Sequence, residues 1–281
     1  MKIHVYWMIL IAVVVSCKKE LADVPVITMI SKASEPNIYI AGSGSVSIDW
    51  GDGKAVETHT LYPYNYDIWE WLSINEESYI YKFGHSFEFG HSFDQFAYTI
   101  TIKGENITHL NCAGIRLTNL YVNKNKALKA LNCSNNNLME IDVKNNTELL
   151  GLHCDDNLLS NIDVSNNTAL KELHCRSNQL NSLDLSSNTE LVCLWILSNQ
   201  LSASALDNLF ETLNDKFGPR KNVWIYSNPG ADDCDLNIAS DKHWYVNKWA
   251  GAVHWPINTG SIFSSVTNTC GNSFPYEESN L

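Results

Sequence analysis

The stretches "GLHCDDN" at 151 and "ELHCRSN" at 172 carry His153, Asp155, Glu172 and His174 in two units offset by 21 residues. Two imidazoles and two carboxylates are the donor types of a zinc site, and a pair of facing carboxylates is the machinery of glycoside hydrolysis. Both chemistries need the side chains to converge. Charged residues repeated at outward positions of a regular surface usually form a solvated face, and that reading is favoured here, with no metal ligand and no catalytic residue among the four. A second candidate set is His85 and His91, from "GHSFEFGHSF", with Asp49 and Asp52. Asp52 is what an Asp-Gly turn requires, and nothing in the spacing fixes the other three in one geometry. The chain has no G-x-S-x-G, no H-E-x-x-H, no glycine-rich phosphate loop and no EF-hand-like loop. The expectation is a non-enzymatic protein without a cofactor.

What positions these residues is a repeat. Shifting the chain by 21 residues aligns "HLNCAGIRL" at 109, "ALNCSNNNL" at 130, "GLHCDDNLL" at 151, "ELHCRSNQL" at 172 and "CLWILSNQL" at 193. Leu110, Leu131, Leu152, Leu173 and Leu194 form one column, and Cys112, Cys133, Cys154, Cys175 and Ile196 form the next. This alternation has the two-residue period of a strand with one buried face. Asn136, Asn157, Asn178 and Asn199 follow where the chain must turn, and a side-chain amide there can satisfy backbone groups left unpaired by the bend. One unit cannot bury its own apolar edge, so the units stack into a parallel sheet with the asparagines as a ladder.

The pattern L-x-x-L-x-C-x-x-N-x-L-x-x-L-D-V-S-x-N resembles the leucine-rich repeats of cell-surface lipoproteins from Bacteroidetes-type bacteria, over 106–246. The resemblance implies a leucine-rich-repeat solenoid with a concave ligand-binding face. The first unit departs from the pattern, with Ile115 where the asparagine should stand. In an exported chain, abundant cysteine would ordinarily indicate disulfides. The column reading gives four packed, reduced thiols instead, because Ile196 fills the same position and in-register strands hold neighbouring Cβ atoms slightly too far apart to bridge. Cys193 falls on the outward side of its strand. Cys234 and Cys270 lie outside the column, either bridged to each other or free.

The opening "MKIHVYWMILIAVVVSCKKE" combines a lysine, an apolar run too short to span a bilayer comfortably and Ser16 before Cys17. Ser16-Cys17 resembles a bacterial lipobox, which implies cleavage after residue 16 and lipid on Cys17; the alternative is an ordinary signal peptide. Lys18 and Lys19 stand where an inner-membrane retention aspartate would be, favouring the outer membrane; the extracellular side is the expected orientation, with the periplasmic side left open. In 24–105, "SVSIDWGDGKAVE" reads as a hairpin about Asp52-Gly53, and together with "GHSF" and "YTITI" it looks like a PKD-type β-sandwich. The domain reading is thus signal peptide 1–16, lipidated linker 17–23, PKD-like sandwich 24–105, leucine-rich-repeat solenoid with helical cap 106–246, and an extension 247–281 of unassigned structure. Within the cap, Ser204 is the expected N-cap of a helix carrying Leu206, Leu209, Phe210 and Leu213, with Gly218-Pro219 as its stop. A short helix near Asp235 to Ser240 and a strand from Trp244 to Val246 follow.

Removing residues 1–16 takes away Lys2, so the net charge of −12 becomes −13. Such acidity argues against nucleic acid or an anionic membrane surface as partner. The membrane is met through the lipid anchor only, and a monomer is expected. Alternation sends Asn111, Asn132, His153, His174, Trp195 and Trp224 outward in one strip, with Leu197 and Tyr226 two positions further along. His153, His174, Trp195, Trp224 and Tyr226 are the expected ligand contacts, for a protein or host macromolecule or, alternatively, a glycan taken up as nutrient; a metal-dependent hydrolase is the remote third reading. Closure of the aromatic positions by the tail after Asn247 is the structural alternative.

Overall fold

The computed structural model describes residues 24–63, 81–84, 97–217 and 220–248. Cys17, His85, His91, the Gly218-Pro219 stop, Cys270 and all but the first residues of the 247–281 extension lie outside them.

Six strands open the described chain: β1 Val26–Ser31, β2 Asn37–Asp49, β3 Glu57–Leu61, β4 Tyr81–Gly84, β5 Tyr98–Asn111 and β6 Leu117–Tyr121. They pair antiparallel, β1 with β5 and β6, and β2 with β3, β4 and β5. In β1 the buried residues Ile27, Met29 and Ser31 alternate with half-buried ones, as a strand with one core face requires. The "WGDG" turn follows β2. Asp49 and Asp52 accept hydrogen bonds from the Gly51 and Lys54 amides at 2.9 and 3.0 Å, so both carboxylates serve the turn. Gly51 sits at φ +78°, and a Cβ there would fall 2.3 Å from Thr99 O, so only glycine fits.

The repeats supply β7 Ala130–Asn132, β8 Gly151–His153, β9 Glu172–His174 and β10 Cys193–Trp195, then β11 Lys221–Trp224 and β12 Trp244–Asn247. All are parallel and in register, with Leu131, Leu152, Leu173, Leu194, Val223 and Val246 as successive partners. The last part of β5 pairs parallel with β7, His109 to Ala130 through Asn111 to Asn132. β5 therefore runs through the expected boundary at 105/106 and joins the antiparallel strands to the repeat sheet. One apolar core likewise continues from Ile27, Met29 and Ile102 through the leucine and cysteine columns to Phe210 and Trp244. The described strands form a single hydrogen-bonded sheet.

Cys112, Cys133, Cys154 and Cys175 are buried free thiols in that core. Burial pushes the Cys112 thiol up to about 12, and the other three well above their ordinary value. Cys234 is also a buried free thiol. Two residues after each position of the cysteine column the chain turns through a left-handed residue: Gly114 at φ 70° after Cys112, then Asn135, Asp156 and Ser177 after the other three cysteines and Ser198 and Ser227 after Ile196 and Ile225, at φ 50–60°. The following asparagine stitches adjacent units: Asn157 donates to Cys133 O, Cys154 O and Asp155 O and accepts from Leu138 N. A second ladder closes the opposite turn, where Asn146 donates to Val122 O and Asn125 O, Asn167 to Val143 O and Asn146 O, and Asn188 to Val164 O and Asn167 O.

Two helices follow β10. α1, Ala203–Thr212, buries Leu206, Leu209 and Phe210, and Leu213 closes it. Its N-cap is Ser202, whose Oγ accepts from Ala205 N at 3.2 Å, not the expected Ser204, which instead bonds to Ser202 Oγ. α2, Leu236–Asp241, is capped by Asp235 and precedes β12. Asn228 resumes the turn-asparagine role, its Oδ1 accepting from Leu201 N and its Nδ2 donating to Ile196 O and Ile225 O.

Candidate functional site: the sheet face turned away from the core

The short strands β7 to β11 present three rows on the face opposite the core. Partner registers put Gly151, Glu172, Cys193 and Asn222 in the first and Asn132, His153, His174, Trp195 and Trp224 in the second. By alternation Asp155, Arg176, Leu197 and Tyr226 form the third. All five expected contacts therefore lie on one face.

The second row is a stack of rings. His153 and His174 lie nearly parallel with centroids 3.8 Å apart, His174 and Trp195 follow at 4.4 Å, and Trp195 meets Trp224 at 5.2 Å and 52°. Cys193, Trp195 and Leu197 form an apolar cluster of their own, distinct from the main core, with Trp224 and Tyr226 packed against it. Trp195 is only 9% exposed, while Trp224 and Tyr226 are half-buried. Cys193 is thus on the outward side of its strand, as expected, and yet fully buried.

The charged residues depart from expectation. Glu172, expected on a solvated face, is 2% exposed, and Asp155 and both histidines are also buried. Register is the reason: the strand spacing brings neighbouring carboxylates and imidazoles into contact. Glu172 Oε1 lies 2.7 Å from His174 Nε2 and 3.2 Å from His153 Nε2. Asp155 Oδ1 accepts from Arg176 N at 2.9 Å, and its Oδ2 is 3.9 Å from His174 Nδ1. Burial opposes charge on Glu172, but the two imidazoles outweigh it and hold this carboxyl down at about 2. Burial, reinforced by His153, lowers His174, and burial raises Asp155.

Cys193, His174 and Asp155 have the residue types of a thiol triad, with Sγ 3.7 Å from His174 Nε2. The arrangement does not work as one, because Glu172 already faces that nitrogen at 2.7 Å and the sulfur is fully buried. Sequence reasoning passed over Cys193 and Arg176 as members of this group. The signal was present in the 21-residue offset, which places Cys193 beside Glu172 and Arg176 beside Asp155.

Short parallel strands recurring every 21 residues, a leucine column inside and asparagine-stitched turns define a leucine-rich-repeat type of solenoid. No protein-family model and no curated protein matches the chain. Among solved structures it is similar to the functional domain of InlJ from Listeria monocytogenes, which includes a cysteine ladder (26% identity, 50% of this chain and 30% of that one, TM-score 0.42). It is also similar to the internalin InlF of the same species (19%, 50% and 46%, TM-score 0.37) and to a leucine-rich-repeat protein of Leptospira interrogans (17%, 50% and 48%, TM-score 0.34). The matched part is thus less than half the length of each of these proteins.

Proposed function

We propose that the protein is a lipid-anchored, non-enzymatic outer-membrane protein facing the cell exterior, which binds a protein or other host macromolecule through the repeat face turned away from its core. The observation that carries this reading is the ring stack of His153, His174, Trp195 and Trp224 with Tyr226 beside it, a row of Trp and Tyr outside the main core. These amphipathic rings give large contact area for little conformational entropy and are the residues most often found at binding hot spots. In this reading the antiparallel strands are a PKD-like spacer, α1 and α2 cap the open end of the repeats, and Cys17 carries the lipid. Among the described residues no helix is long and apolar enough to cross a membrane.

Two measurements test it. A clickable fatty acid fed to cells should label the wild-type chain and not Cys17→Ser; a labelled mutant would remove the anchor. In pull-down from host extracellular matrix, Trp224→Ala is expected to weaken capture by more than about 1 kcal/mol with melting nearly unchanged, because the ring is only half-buried. Trp195→Ala should lower melting as well. Unchanged capture with Trp224→Ala would sink the ring-stack site, and Trp224-dependent retention on a glycan array would replace the protein partner with a sugar.

A further inference from the structure

We propose that His153, Glu172 and His174 form a binding site for a borderline divalent transition-metal ion of the zinc type on the repeat face. One donor atom from each of the three residues lies within 4.8 Å of the other two, all three residues are buried, and Glu172 Oε1 is 3.2 Å from His153 Nε2 and 2.7 Å from His174 Nε2. Two imidazoles and one carboxylate form a mixed nitrogen and oxygen set, which suits zinc or cobalt better than calcium or magnesium, whose ligands are oxygens. The donors sit on β8 and β9, adjacent in-register strands, so the backbone fixes their spacing without any loop.

The present contacts leave this group incompletely satisfied. Glu172 Oε2 has no hydrogen-bond partner among the described residues. His153 Nε2, although 3.2 Å from Glu172 Oε1, makes no aligned hydrogen bond to it. A carboxylate oxygen and an imidazole nitrogen left so in a buried place are costly, and a cation between them would satisfy both.

The rearrangement required is small. Donors bonded at about 2.0–2.1 Å around a tetrahedral ion stand roughly 3.3 Å apart. The 3.2 Å contact already matches, and the 2.7 Å contact must open by roughly half an ångström. The two rings are 10° from parallel, so one must turn about its terminal torsion for both lone pairs to converge; His174 is held between His153 and Trp195, so the turn falls to His153 and costs part of its stacking contact. Three protein ligands leave a fourth position for water or for a group of a bound partner. The site does not depend on the partner proposed above.

The test uses the full chain, reduced and stripped with chelator, titrated with cobalt(II) or zinc alone. One equivalent should bind, with the intense visible bands of tetrahedral cobalt, and zinc should raise the melting temperature while calcium should not. Glu172→Gln and His153→Gln should each weaken binding by at least about tenfold and abolish the zinc-dependent rise in melting. His153→Gln removes a nitrogen that makes no aligned hydrogen bond, so it decides the matter if Glu172→Gln fails to fold. Cys193→Ser should retain one equivalent. Failure to bind cobalt or zinc, an equal response to calcium, binding unchanged in His153→Gln, or binding lost only in Cys193→Ser overturns the proposal.

Discussion

Asn157→Ala is expected to destabilise the chain by about 4 kcal/mol, one of the largest effects available to a single substitution away from the apolar core. The Asn157 side chain is buried and bonds four backbone groups in two adjacent units: Nδ2 lies 3.0–3.1 Å from Cys133 O, Cys154 O and Asp155 O, and Oδ1 accepts from Leu138 N at 3.0 Å. Truncation leaves the Leu138 amide without a partner, at about 1–3 kcal/mol, takes one donor each from Cys133 O, Cys154 O and Asp155 O, which keep Asn136 Nδ2, Asn178 Nδ2 and Asn135 N, and opens a small void. Because each unit rests on its neighbours, the loss falls on an interface between units rather than on one turn. Asn157→Asp should be no better at neutral pH, since it turns the donor into a charged acceptor facing three carbonyl oxygens. Ser160→Ala, at an exposed position nearby, should be within about 0.5 kcal/mol of wild type. Urea denaturation provides the comparison, and a loss below about 1 kcal/mol for Asn157→Ala would show that water replaces the ladder.

The ladder also shows why part of the fold can be read from the sequence. A 21-residue period fixes register without knowledge of the structure, because each side chain must land beside its equivalent in the next unit. The leucine and cysteine columns and the turn asparagines are therefore legible, as is the alignment of His153, His174, Trp195 and Trp224. Where the repetition stops, prediction rests on local signals that tertiary contacts can override. Ser202 and Ser204 are both competent caps, and the structure starts α1 with Ser202, burying Leu206, Leu209 and Phe210 on one side. The continuity of β5 from the antiparallel strands into the repeats was not legible, because its alternation slips by one residue at Glu105 and Asn106, from Ile100, Ile102 and Gly104 buried before them to Ile107 and His109 buried after. The burial of Glu172 and Asp155 was missed for a different reason. Outward direction follows from alternation, but solvation depends on what neighbouring units place beside the side chain, and here these are imidazoles and rings.

Those buried ionisable groups make stability depend on pH in a defined direction. His109 on β5 is held down at about 4, first by burial and then by the positive charge of Lys129. His174 is lowered for the first of these reasons and by His153. An unfolded histidine titrates near 6.5, so between that pH and the folded value the unfolded chain binds more protons, and stability falls as pH falls. For His109 the window runs from 6.5 to about 4, with a loss of up to about 3 kcal/mol once it is crossed. Glu172 adds to the loss below its ordinary 4.5, because its folded carboxyl stays ionised to about 2. Asp155 acts in the opposite sense: its raised carboxyl makes its contribution decline with rising pH, so acidification partly relieves it. The net expectation for chelator-treated protein is a fall in unfolding free energy from pH 6.5 to pH 4, the larger part of it from the histidines. His109→Gln, measured by urea denaturation across the same range, should flatten that slope by about 2–3 kcal/mol while leaving stability at pH 7 within about 1.5 kcal/mol of wild type. Equal slopes for the two proteins would mean that His109 takes up its proton in the folded chain as readily as in the unfolded one, and that the acid sensitivity arises elsewhere.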